Sequence, residues 1–266
     1  MITTAVVLAR GLGSRMRAAG ASADAALTDE QAAAAASGHK ALMPIGAHRL
    51  IDYSLSALAD AGITRAILVV APEHEDFTRH LQRVAPQRLR VELAVQAEPR
   101  GTADAVAAAR EAVGGEPFVM VNGDNLYPTG GVGALLQAEG NALLGFDRAA
   151  LVAESNIPED RIAAFALLEE TGGRLEAIVE KPDAATVEAA GEHALVSMNA
   201  FALTEEIFAA CARIAPSARG ELEIVDAVRE LAHVQVIPFA GGVLDLSRRD
   251  DIDEVARRLS GVEVAL

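Results

Sequence analysis

Gly11, Gly13 and Arg15 follow closely on the apolar run Ala5-Val6-Val7-Leu8. Such a run, rich in valine and ended by a glycine breaker, predicts a short buried strand. A glycine-rich turn leaving a strand can aim backbone N–H groups at phosphates, because glycine tolerates positive φ and close approach. Arg15 would add a fixed charge with several donors. The same residues would also serve as an ordinary tight turn, so this pattern alone does not decide. The lysines add a second signal. Lys40 and Lys181 are the only two, and every other Lys/Arg position is arginine. A drift toward arginine and alanine exchanges surface lysines readily, and those that survive are enriched where a compact, flexible ammonium is needed.

These residues need elements to position them. Apolar strands are expected at Ala66–Val70 and Phe118–Val121, and an alternating one at Leu89–Gln96. Helices are expected between them, near Ile51 to Ala61, from about Glu73 to Val84, and from Thr102 to about Val113. Strand and helix in alternation predict a parallel sheet covered on both faces. Ligands of such sheets bind outside the carboxyl ends of the strands. Arg15, Gln96 and Asp124 all lie just past predicted strand ends, so one crevice could hold them. Thr28-Asp29-Glu30-Gln31 has capping-box spacing and Gly38 can close a helix, which predicts a short helix over Asp29 to Ser37 inside an alanine-rich insert spanning 18–38. In the second half, Ile162–Leu168 and Arg174–Val179 flank Thr171-Gly172-Gly173 as a hairpin. Strands are expected at Ala194–Leu203 and Val234–Phe239. Helices are expected at Thr204–Arg213, into Leu231, and from Asp250 to Leu259.

Composition narrows the class. A formal charge of −15 argues against nucleic acid as the main partner. Hydrophobic residues make up 51% of the chain, but no apolar run is long enough to span a bilayer, so no membrane partner is expected. The amino terminus lacks the pattern of a signal peptide, and Cys211 is the only cysteine; the expected location is the cytoplasm.

The ordered motifs resemble the sugar-1-phosphate nucleotidyltransferases, or nucleotide-sugar pyrophosphorylases, and among them the uridylyl- and thymidylyltransferases. Gly11-Leu12-Gly13-Ser14-Arg15-Met16 is similar to their glycine-rich loop, and Lys40-Ala41-Leu42-Met43-Pro44-Ile45 to their lysine stretch. Gln96 through Ala105 resembles the base-reading loop, Asn122-Gly123-Asp124 the metal motif and Glu180-Lys181-Pro182 the sugar-phosphate motif. Ser217 through Ile224 is close to a stretch of the glucose-1-phosphate thymidylyltransferases. Arg10 stands where alanine or glycine is usual, and the insert separates Arg15 from Lys40, with His39 in place of the usual proline.

The resemblance implies a Rossmann-like three-layer α/β/α nucleotidyltransferase fold, with a mostly parallel mixed sheet and a small sugar-binding lid portion. One domain over 1–266 is expected. Residues 1–130 would hold mainly the nucleotide and 131–266 mainly the sugar phosphate. The implied reaction moves a nucleotidyl group from a nucleoside triphosphate to a sugar-1-phosphate and releases pyrophosphate. Arg15, Lys40 and Lys181 would be the catalytic cations. Leu8, Ala9, Gly11, Gly13, Ser14, Gln96, Gly101 and Thr102 would bind the nucleotide. Gly123, Glu180 and Asn199 would face the sugar, and Asp124 and Asp245 would hold Mg2+. The base-reading loop favours UTP or dTTP, with ATP open. Also open are a sugar-free phosphate or phosphonate acceptor, a non-catalytic nucleotide-binding subunit on the same fold, a lid role for the insert helix, and assembly into a homo-oligomer.

Overall fold

A computed structural model describes residues 1–11, 13–17 and 27–266. Nine strands form one mixed sheet: β1 (Thr4–Leu8), β2 (Arg65–Val70), β3 (Arg90–Val95), β4 (Phe118–Asn122), β5 (Ala142–Asp147), β6 (Leu167–Thr171), β7 (Arg174–Val179), β8 (Leu195–Leu203) and β9 (Gln235–Phe239). Their order is β3-β2-β1-β4-β8-β5-β9-β7-β6. The first four in that order are mutually parallel. β8 runs antiparallel to both β4 and β5, and β9 is parallel to β5.

Alternation of side chains across the pleat builds three layers. Ala5 and Val7 join one apolar cluster, which Ile51, Leu55 and Val132 cover from helices Leu50–Ala61 and Thr129–Leu135. Val6, Phe118 and Met120 face the other, covered by Val106, Ile207 and Val225 from helices Thr102–Ala108, Glu206–Cys211 and Ile224–Arg229. A third cluster beside the sheet joins Met16, Ala35, Met43, Tyr53, Leu246 and Ile252. Ala35 therefore anchors the insert helix, which spans Asp29–Ser37 as its capping box predicted.

Three expectations change. β5 lies deep in the sheet, yet no strand is expected there from sequence, because Gly145 interrupts its short apolar run. Glycine keeps this packing close, since a Cβ would stand 3.0 Å from Leu195 Cδ1 and Val236 Cγ1 and press on both. The first hairpin strand starts only at Leu167, because Glu159–Ile162 is helical. Thr204 does not cap the next helix. Its N–H and hydroxyl both donate to Asn141 Oδ1, at 2.8 and 3.2 Å, and the helix starts at Glu206. The hairpin itself bridges the sheet, with Leu167 beside Val196 of β8 and Arg174 beside Gln235 of β9. Among the described residues, no helix is long and apolar enough to cross a membrane.

Candidate functional site

β1 and β4 deliver the centre of the site. The Leu8 carbonyl accepts the Gly123 N–H at 2.9 Å, so the two chain exits leave side by side. A Cβ on Gly123 would fall 2.9 Å from Leu8 O and 3.3 Å from Ala9 Cα, so only glycine permits this contact. Gly11 is exposed, whereas Gly13 is buried with φ +57°. A Cβ on Gly13 would meet the Gly38 carbonyl oxygen at 2.7 Å, so the loop rests on the end of the insert helix. Arg17, in the turn Ser14–Arg17, donates to Ser37 O at 2.8 Å and satisfies a terminal carbonyl of that helix. Residues 18–26 of the insert, and Leu12 of the loop, lie outside the described residues.

Lys40 opens the short helical turn Lys40–Leu42, and its Nζ donates to Asp124 Oδ2 at 2.8 Å. Asp124 in turn lies beside Asp245. Its carbonyl accepts the Leu246 N–H at 2.9 Å, and Asn125-Leu126 pairs with Leu244-Asp245 as a two-residue ribbon. Burial, and then the charge of Asp124, push the Asp245 carboxyl above the usual carboxylate range. Arg161 pairs with Asp245, and Asn125 Nδ2 donates to it at 3.1 Å. Neither Arg161 nor Asn125 carries a motif, and nothing in the sequence pointed to them.

The stretch Gln96 through Ala105 is tied to the chain's own backbone. Gln96 Nε2 donates to Gly101 O at 3.0 Å and to Asp104 Oδ2 at 2.8 Å. Both partners are acceptors, which fixes the amide's orientation and leaves Oε1 as the group Gln96 can offer. Gly101 has φ +120°, and its Cβ would collide with Leu222 O at 2.4 Å. Its glycine identity thus answers to the 217–223 loop. Thr102 likewise accepts the Ile224 N–H at 2.8 Å. Arg10 turns inward. Its Nη2 donates to Ala97 O at 3.1 Å, joining the glycine-rich turn to the stretch that follows Gln96, while Nε and Nη1 are buried without hydrogen-bond partners.

Glu180 and Lys181 leave the base of the β6–β7 hairpin, beside the start of β8. The Glu223 hydrogen bond raises the Arg219 guanidinium, and Glu180 adds to that effect from nearby. Asn199 sits where the register of β8 breaks. Lys181 and Asn199 have φ of +47° and +56°; among the described non-glycine residues only Ala85 shares that region. Left-handed backbone costs about 1–3 kcal/mol and persists where the surroundings impose it, often at functional sites. Tyr127 pins the break by donating to Met198 O at 2.7 Å. Arg15 and Lys181 are exposed, and neither pairs with a carboxylate among the described residues. The structure thus joins Leu8, Gly123, Lys40, Asp124 and Asp245 directly. Gln96, Gly101 and Thr102 form a second group, linked to the first through Arg10.

Residues 34–237 match the nucleotidyl transferase family. The chain belongs to that family. Among its relatives, the low-salt glycan biosynthesis nucleotidyltransferase Agl11 of Haloferax volcanii is 29% identical over 85% of this chain and 56% of its own length. A glucose-1-phosphate thymidylyltransferase of Streptomyces antibioticus is 30% identical over 95% of this chain and 65% of its own. The chain thus spans between half and two-thirds of these two relatives. The UTP–glucose-1-phosphate uridylyltransferase AglF of Haloferax volcanii is 27% identical, with 96% of both chains covered. A UDP-glucose pyrophosphorylase solved with UDP-glucose superposes with a TM-score of 0.72 at 18% identity, over 99% of this chain and 100% of that one. The fold of this nucleotidyl transferase family member is therefore the Rossmann-like α/β fold of its structural neighbours.

Proposed function

We propose that the chain transfers a nucleotidyl group from UTP or dTTP to a sugar-1-phosphate. The observation that carries this reading is Lys40 Nζ, 2.8 Å from Asp124 at the joint exits of β1 and β4. It supplies one cation and one carboxylate where a triphosphate cradled by Gly11 and Gly13 would lie. An oxygen of the sugar phosphate attacks the α-phosphorus in line. The bond to the bridging oxygen breaks, and pyrophosphate leaves with that electron pair. Catalysis then consists of holding two anions together and neutralising their charge. Lys40 and Arg15 would bind the departing pyrophosphate, and Lys181 the attacking phosphate. Glu180 and Asn199 would accept and donate at the sugar hydroxyls. Thymidylyl- and uridylyltransferases among the relatives favour a pyrimidine donor.

The residues fit a magnesium ion. Asp245 is buried and Asp124 half-buried beside it, and burial first, then the Asp124 charge, pushes the Asp245 carboxyl up. Among the described residues no cluster of three or more His, Cys, Asp or Glu occurs. Two carboxylates suffice for magnesium, whose other positions go to water and phosphate oxygens. Asp124 and Asp245 would hold it, and when bound it would supply Lewis-acid neutralisation of phosphate charge. The lone buried Cys211 accords with a cytoplasmic setting.

Pyrophosphate release should be measured over a panel of triphosphates and acceptors with Mg2+, including sugar-free phosphates and phosphonates. Release is expected with UTP or dTTP and a hexose-1-phosphate. Folded protein that releases none with any pair sinks the reading.

A further inference from the structure

A cavity of about 360 Å³ opens on the far side of the insert, between helices Asp29–Ser37 and Glu75–Val84. Three arginines line it, Arg49, Arg79 and Arg83, against the carboxylates of Glu30 and Asp76. In a chain of net charge −15 this local cationic excess runs against the surface as a whole. The guanidiniums are only partly used. Arg79 gives Nη1 to Asp76 at 2.9 Å, Arg83 gives Nη2 to His80 Nδ1 at 3.0 Å, and Arg49 gives Nη1 to Leu42 O at 2.6 Å with its Nη2 3.9 Å from Glu30 Oε2. Each guanidinium has five N–H donors, so most remain for a ligand. His39 also lines the cavity, and its Nδ1 is buried with no hydrogen-bond partner, 4.0 Å from Asp76 Oδ2.

We propose that this cavity binds a phosphate-bearing small molecule that is not a substrate, and that its occupancy is felt at Lys40. Guanidinium forks match phosphate oxygens in geometry as well as charge. The volume suits a small phosphate ester. None of the cavity residues belongs to the substrate site described above. Ala33 and Ser37 come from the insert helix, so the insert builds one wall.

The route to Lys40 is short. His39 precedes Lys40 in the chain, and Lys40 N–H donates to Gly38 O at 2.9 Å. Gly38 carries the loop glycine Gly13. Arg49 holds Leu42, the last residue of the turn that Lys40 opens. A phosphate drawing on His39 and Arg49 therefore pulls on both ends of that turn. This coupling, unlike the binding, rests on the reading of Lys40 as a triphosphate-binding cation.

The binding test follows the His39 imidazole resonances by NMR while inorganic phosphate, and separately glycerol 3-phosphate, is titrated in. A saturable shift is expected in the intact protein, at least fivefold weaker in Arg79→Glu and in Ala33→Glu, and unaltered in Lys181→Ala. Both cavity substitutions fall on exposed helix positions, so the fold is kept. Tighter binding of glycerol 3-phosphate marks an ester as the ligand, and equal binding marks phosphate itself; either supports the site. A shift that survives both cavity variants, or vanishes only in Lys181→Ala, overturns it. The coupling test measures UTP affinity by calorimetry with and without the phosphate. A change in the intact protein that disappears in Ala33→Glu supports coupling, and no change refutes it. Should neither UTP nor dTTP bind, the substrate reading fails while the NMR titration still decides the cavity.

Discussion

Lys40 and Asp124 are only 15% and 30% exposed, yet they stand at the rim of a crevice and not in the core. Ion pairs in such settings contribute little to stability. A triphosphate can therefore claim Lys40 at small cost. Lys40→Ala is expected to leave the melting temperature almost unchanged while lowering kcat/KM about 10²- to 10³-fold, the range for removing one transition-state charge contact. Lys40→Arg should not restore activity, because a planar fork does not fit a position shaped for a compact ammonium. Steady-state rates beside a melting curve check both. Gln96 offers a second residue-scale expectation. Asp104 holds its amide donors, so Asp104→Ala should let the amide rotate and cost about tenfold in nucleotide affinity, the worth of one hydrogen bond of about 1.4 kcal/mol. Calorimetric binding of UTP to both proteins decides it. Residue types announced Lys40, Asp124 and Gln96 because each sat in a motif. Arg161 and Asn125 were illegible, since they act through residues far away in sequence and belong to no local pattern. The close approach of Gly101 to Leu222, which leaves its carbonyl to hold Gln96, was not legible, since Leu222 lies far along the chain.

At the scale of elements, the insert helix packs under the glycine-rich loop, Gly13 meeting Gly38 and Arg17 donating to Ser37 O. Thr28 accepts from Gln31 N at 3.2 Å, Gln31 returns the bond to Thr28 N, and Ala35 is fully buried. Thr28→Ala should cost about 1 kcal/mol in chemical denaturation, the usual worth of such a cap. Gly13→Ala should cost more than its size suggests. It demands positive φ from alanine and drives a methyl into Gly38 O. The expected result is weakened triphosphate binding with most stability retained, which calorimetry and a denaturation curve separate. This helix was readable because its cap, alanine run and closing glycine are all local. β5 was not, because Gly145 answers to Leu195 and Val236, partners that only the folded sheet brings near.

In the whole molecule Cys211 ends helix Glu206–Cys211 and belongs to the second apolar cluster, with Ile224 and Val225. Burial first, with a smaller contribution from Asp104, pushes its thiol up to about 12. Only the thiolate reacts, so at pH 8 the native protein should resist a thiol reagent that modifies the unfolded chain at once. The labelling rate then reports opening of this layer, and rapid labelling without unfolding would contradict the burial. Fold class was legible from alternation of strands and helices in the first half. The antiparallel insertion of β8 between β4 and β5 was not, because pairing partners far apart in sequence leave no periodic trace.

The ribbon of Asn125-Leu126 with Leu244-Asp245 has a consequence for how the protein is born. Asn125 and Asp245 are separated by 120 residues, so their contact closes a long loop. Closing such a loop is slow, and synthesis runs from the amino end. The turn that follows Gly13 is completed late too, because Met16 packs with Leu246 and Ile252 and accepts from Arg249. Until residue 245 is made, the Lys40–Asp124 pair stands without the second carboxylate.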